Sequence, residues 1–272
     1  MGKNLKNIPL IEAIFEIRWV PPPSPNNPFT RDPFFHIHAG QLLPLLVESF
    51  PEVDSLLPPS VPLPEEVLQK MFHYRLFSEK KQMPLVQLGP GMLTFNADDS
   101  YRWQLFQERL QFVLKQLYDS RPNPQKFSLE YLSLKYLNFF EYDDDKDQAI
   151  DFLRDKLKLG VSLPVDLFKP PICVRNPISF NFFWQFPCCD GSGTHIGSVI
   201  LSINVGEKKG KKGIFMEIGV QGQKQFSKYS GDKISAFPVT NVGVLEWVVS
   251  AHDIIKYCFS TITEEIKNEL DL

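Results

Sequence analysis

The sequence predicts an α+β protein, a curved antiparallel sheet with helices on one side, and three observations carry that reading. PLIEAIFEIRWV, Pro9 to Val20, alternates: Ile11, Ala13, Phe15, Ile17 and Trp19 are apolar, and Glu12, Glu16 and Arg18 stand between them, as in a half-buried strand. DDSYRWQLFQERLQFVLKQLYD and NVGVLEWVVSAHDIIKYCFSTITEEIKNEL instead repeat their apolar residues at helical spacing, as helices laid on a sheet do. The order strand, helix, strands, helix then occurs twice along the chain.

Each element follows from local chemistry. After the first strand, PPPSPNNPFTRDP is too rich in proline for helix or central strand. PFFHIHAGQLLPLLVESF places Phe35, Leu42, Leu43, Leu46 and Phe50 as a helix would, despite Gly40 and Pro44. KMFHYRLFSEKKQMPLVQLGPGMLTFN reads as two or three strands with turns at Ser78–Lys81 and Gly89–Gly91. The helix that follows is expected to be capped by Asp99 or Ser100 and to share Trp103, Phe106, Leu110, Val113, Leu114 and Leu117 on one face. In the second half FSLEYLSLKYLNFFEYD, Phe127 to Asp143, is a long strand, and DKDQAIDFLRDKLKLG a helix capped by Asp145 and closed by Gly160. ISFNFFWQF is a strand, SVILSINVGEKKGKKGIFMEIGV a hairpin with a lysine-and-glycine tip, and a long amphipathic helix ends the chain. One domain of two similar halves is therefore expected, 1–122 and 123–272. That arrangement is similar to the TATA-binding-protein-like fold, a likeness of element order that carries no function with it.

Composition narrows the chemistry. A chain of 272 residues, 43% hydrophobic and 22% charged, can bury a full core. Its 23 Phe and 23 Pro point to thick aromatic packing and proline-punctuated loops, and a net charge of −3 gives no global pull toward nucleic acid or membrane. MGKNLKNIPL lacks a signal-peptide pattern, has Lys6 where myristoylation needs Ser or Thr, and no apolar run approaches a membrane span. A cytoplasmic protein is expected. Cys173, Cys188, Cys189 and Cys258 have no zinc spacing and read as reduced core or loop thiols. No metal and no cofactor is expected.

The charged positions constrain the chemistry further. Glu12 and Glu16 stand about 13 Å apart on a strand, too far for a glycosidase-type carboxylate pair. Glu16 and Arg18 are same-face neighbours, and the strand LSLKYLN is expected beside them, so Glu12, Glu16, Arg18, Lys135 and Asn138 form the candidate binding face. His36 and His38 point apart on a helix. His73 sits beside aromatics on a strand, and His195 lies in the glycine-rich loop CCDGSGTHIG with nothing to orient it toward Cys188 or Cys189. His252 is expected as a buried polar group bonded to the sheet. LGPGM lacks the Lys-Ser/Thr of a phosphate loop and reads as a tight turn. Lys208, Lys209, Lys211 and Lys212 at the hairpin tip, with Lys80 and Lys81 at the corresponding turn, are candidate phosphate contacts. No base-reading element accompanies them, so solvated lysines are the better reading.

The blocks PLIEAIFEIRW, LGPGMLTFN, Y-R-W-Q-L-F and LKYLN, with W-x4-H at Trp247 and His252, resemble an uncharacterised, sporadically distributed bacterial protein family of similar length. The likeness covers the whole chain in order. Lys135 departs from it, standing where the pattern has arginine, which weakens any claim of a fixed ion pair there. The resemblance implies no activity and no catalytic residue. Its patchy distribution implies an accessory, horizontally moving gene, such as a defence, toxin–antitoxin or mobile-element component, with a partner encoded nearby. The leading expectation is a non-enzymatic protein-binding or regulatory subunit. The competing one is nucleic-acid binding through the lysine tips on a saddle-like sheet. A third is an enzyme whose site uses Glu16, Arg18, Lys135 and Asn138.

Overall fold

The computed structural model describes residues 9–20, 32, 34–57, 63–121, 128–142, 149–160, 179–224 and 237–266. Nine antiparallel strands and five α-helices are present among them. The strands are β1 (Leu10–Val20), β2 (Glu52–Ser55), β3 (Tyr74–Glu79), β4 (Gln82–Gly89), β5 (Met92–Ala97), β6 (Ser128–Glu141), β7 (Asn181–Cys189), β8 (His195–Lys208) and β9 (Lys211–Gln223). The helices are α1 (Phe35–Leu46), α2 (Glu65–Leu68), α3 (Trp103–Asp119), α4 (Ala149–Asp151) and α5 (Asn241–Ile262). The order across the sheet is β2-β3-β4-β5-β1-β6-β9-β8-β7. The central pair therefore joins β1 to β6, and each outer flank is built by hairpins.

Alternation decides which side each residue faces. Ala13, Phe15, Ile17 and Trp19 of β1 are buried in one hydrophobic cluster with Leu42 and Leu46 of α1, Phe106, Leu110, Val113, Leu114 and Leu117 of α3, and Val244, Val248, Ala251 and Ile255 of α5. The cluster runs through both flanks, with Leu132, Leu134 and Phe140 from β6 and Ile214, Met216, Ile218 and Val220 from β9. Ile11 is the exception to the expected set. A bulge between Leu10 and Glu12 shifts the register against β6, so Leu10 takes the buried place and Ile11 is half-buried.

The turns follow their residues. Lys209 and Gly210 both have positive φ (52° and 79°) in the two-residue loop of the β8–β9 hairpin, the type I′ geometry that matches strand twist. Pro90 and Gly91 link β4 to β5 with Gly91 at φ 68°.

Four expectations are corrected. Neither Asp99 nor Ser100 caps α3: its N-cap is Arg102 with no side-chain cap bond, and Asp98 closes a local turn by accepting from the Ser100 N–H at 3.0 Å. The helix after β6 is one turn of α4 continued as a π-helical segment, Phe152–Lys156, and Lys158, not Gly160, takes the left-handed φ (53°). Asp145 lies outside the described residues. β2 and α2 were not foreseen, the former because EVDS is short and charged. His73 precedes β3 rather than lying in it. Among the described residues no helix is long and apolar enough to cross a membrane.

Candidate functional site

The helix-free positions of β1 and β6 meet at the centre of the second face. Glu16 lies between Thr94 of β5 and Ser133 of β6, and Arg18 between Met92 and Tyr131. Lys135 of β6 is opposite Ile14 on β1 and Gly219 on β9. The structure thus brings Glu12, Glu16, Arg18 and Lys135 onto one face, each with its own partner. Glu16 and Arg18 form an ion pair, and the Arg18 guanidinium lies 5.2 Å from the Tyr131 ring centroid. Glu12 accepts from Asn96 Nδ2 at 2.7 Å, and Lys135 Nζ is 3.6 Å from Glu217 of β9. The two glutamates have separate partners and do not act as a carboxylate pair. The polar band continues outward as Gln87 donates to Thr94 (3.2 Å) and accepts from Arg75 (2.9 Å).

Asn138 does not join this face. Strand side chains alternate, so an odd spacing from Lys135 turns Asn138 toward the helices. It is 3% exposed there, and its Nδ2 donates to the carbonyls of Tyr136 (3.4 Å) and Met216 (3.3 Å). Its role is to satisfy backbone beside the β1 bulge.

At the hairpin tip, Lys211 donates to both Glu141 oxygens at 2.9 and 2.7 Å, and Lys208 lies 5.9 Å above the Phe139 ring. Lys209 forms the turn itself, and Lys212, second residue of β9, accepts at its carbonyl from the Tyr142 N–H at 3.4 Å.

Two polar clusters lie on the helix side, and the sequence points to only one member of them, His252, as a buried polar group. In the first, Tyr101, Tyr136 and His252 form a hydrogen-bonded chain: Tyr101 Oη to Tyr136 Oη at 2.5 Å, Tyr136 Oη to His252 Nδ1 at 2.6 Å. Trp103 stacks on the imidazole at 3.8 Å between centroids and 4° between planes. His252 is bonded to the sheet as expected. Burial pushes its pKa down to about 4 and pushes both tyrosines up, so all three groups are uncharged at neutral pH. A neutral imidazole and two phenols satisfy both bonds, since Tyr136 Oη can donate one and accept the other. This hydrogen-bonded chain pins the start of α3 and the middle of α5 to β6. The sequence signal for it was present, since Y-R-W-Q-L-F, LKYLN and W-x4-H supply these residues. Tyr136→Phe strands Tyr101 Oη and His252 Nδ1, and a loss of about 2 kcal/mol is expected, readable as a lower urea midpoint with unchanged slope.

The second cluster joins the end of α3 to the entry of α1. Asp32, 6% exposed, accepts from Trp19 Nε1 at 3.2 Å and from the Phe34 N–H at 3.1 Å. Arg121 lies 5.0 Å from the Trp19 ring and 5.4 Å from the Tyr118 ring, and donates to the Leu117 carbonyl. Burial lowers Arg121 to about 9 and raises Tyr118 to about 12. Ser120 spends its proton on the Leu117 carbonyl (3.3 Å), so His38 donates to it from Nε2 (3.1 Å).

His36 is exposed, and His195 pairs across from Cys189 at the start of β8. Cys188, Cys189 and Cys258 are free thiols, with burial pushing Cys188 up to about 12; Cys173 lies outside the described residues. Among the described residues no group of three or more His, Cys, Asp and Glu is placed to hold a metal ion. No protein-family model matches the chain, and no curated protein is significantly similar to it.

Proposed function

We propose that the protein is a non-enzymatic subunit that binds another protein through the second face of its sheet, as a regulatory component of a bacterial accessory system of the defence or toxin–antitoxin kind. The observation that carries this reading is the band of Glu12, Glu16, Arg18, Lys135 and Glu217, in which opposite charges interleave across three central strands. A mixed-sign band of that kind recognises a mixed-sign protein surface and fixes its register. Nine strands span roughly 40 Å, wide enough for the ~800 Å² per partner of a standard interface. Strand order supports two pseudo-repeated halves, because β5, β4 and β3 follow outward from β1 as β9, β8 and β7 do from β6. The halves proposed are 1–122 and 123–272, in a TATA-binding-protein-like arrangement with a curved sheet.

Nucleic-acid binding is the second reading, and the hairpin tip weighs against it. Lys211 is neutralised by Glu141 and Lys208 rests on Phe139, while the carboxylates at the centre would repel phosphates. Co-purification with the products of adjacent genes is expected to yield a stoichiometric complex. Arg18→Glu with Lys135→Glu is expected to weaken it at least tenfold, with circular dichroism confirming that the variant is folded. A chain recovered alone overturns the proposal. Binding of random duplex or single-stranded DNA that falls steeply with salt transfers the case to the second reading.

A further inference from the structure

The two ends of the sheet are finished differently. β2 is four residues long and carries Glu52 and Asp54, which is how proteins blunt an edge against pairing. β7 is nine residues long, exposed at Phe183 (62%), Trp184 (37%) and Phe186 (44%), and has no charged residue from Ser179 to Cys189. Among the described residues no strand pairs with its outer side. Which backbone groups point outward is fixed by the register. Val205 N–H donates to the Phe180 carbonyl (3.4 Å), so the even residues of β7 bond to β8 and the odd ones, Asn181, Phe183 and Gln185, face away. Pro187 obeys the same rule, since its missing donor falls on the outer side.

We propose that β7 pairs antiparallel with β7 of a second copy about a twofold axis at Phe183, joining two sheets into one. The absence of charge suits a second copy, because a twofold sets Phe183 against its own image and every flanking residue against an equally uncharged one, leaving no unpaired charge in the seam. The register at Phe183 pairs Asn181 with Gln185 of the other copy and supplies about eight backbone hydrogen bonds, close to the count of a typical interface. On the helix side it sets Phe182 opposite Trp184 and Phe180 opposite Phe186. These rings already form a ladder within one chain, with centroids at 5.0 Å for Phe180–Phe182 and 5.5 Å for Phe182–Trp184.

The test is sedimentation equilibrium of the full chain at micromolar concentration, with circular dichroism to confirm that each variant is folded. The wild type is expected to be a dimer, and Phe183→Lys and Phe183→Glu each a folded monomer, since each sets like charges face to face. Mixing the two variants is expected to restore a dimer, because opposite charges then meet on the axis. A monomeric wild type overturns the proposal, as do variants that remain dimeric. Two folded monomeric variants that fail to combine overturn it as well, since the axis then lies elsewhere.

Discussion

Acidification from pH 7 to pH 4 is expected to remove a large part of the protein's stability. His38 and His252 are both held at about 4 by burial, against 6.5 for an unfolded histidine, and His73 is lowered too. Between those values the unfolded chain binds protons that the folded chain refuses. The stability these side chains contribute is therefore complete above pH 6.5 and is lost as the pH falls through about 4. The gap corresponds to at most about 3 kcal/mol for the deeply buried His38, and to less for the half-buried His252. Against a total of roughly 5–15 kcal/mol, that brings the fold near its limit. Asp32, whose pKa is raised by burial, works in the opposite sense and offsets part of the fall, because the folded chain takes up its proton before the unfolded one does. Urea unfolding at pH 7, 6, 5 and 4 measures the slope directly, and His38→Gln should flatten part of it. Stability unchanged between pH 7 and pH 5 would contradict the burial of these rings.

Gly197→Ala is expected to destabilise the protein by about 3 kcal/mol, a fall in Tm of roughly 6–12 °C. Gly197 has φ 154°, and a Cβ built on it would lie 2.1 Å from the backbone oxygen of Gln221, an atom that cannot swing aside. The strand pair also carries an anchor at this point: Trp247 Nε1 donates to the Ile196 carbonyl at 3.0 Å. A shift in β8 or β9 would therefore loosen α5 as well. Gly193 provides the control. Its φ is 79° but a Cβ there meets open space, so Gly193→Ala should cost only the local backbone strain, about 1 kcal/mol. Equal melting temperatures for the two variants would show that the close approach at Gln221 is not what matters.

Local periodicity made much of this architecture legible. The alternation of β1, the helical faces of α3 and α5, and the β4–β5 and β8–β9 turns all rest on residues within a few positions of each other. What escaped depended on tertiary partners or on one-residue shifts. The bulge at Ile11 leaves no trace in an unbroken apolar alternation. Asn138 was misplaced although its face was knowable, because three residues along a strand end on the opposite side. Glu12, Glu16, Arg18 and Lys135 share a face because a period of two placed them there, while the partners of Glu12 and Lys135, Asn96 and Glu217, come from strands distant in sequence. Tyr101, Tyr136 and His252 were written in recognisable blocks, yet their meeting across 35 and 116 residues is a product of the sheet order.

The central position of β1 sets a timetable for the nascent chain. Its neighbours on either side are β5, where Ala97 faces Ala13, and β6, where Tyr136 faces Ala13 from the other direction. At about 5–20 residues per second of translation, β1 exists for roughly 4–15 s before β5 has been synthesised, and longer before β6. Throughout that interval Phe15, Ile17 and Trp19 have no sheet to enter, whereas the β4–β5 and β8–β9 hairpins close almost as soon as they are made. The strand that finally holds the middle of the molecule is thus the one that waits longest for its partners.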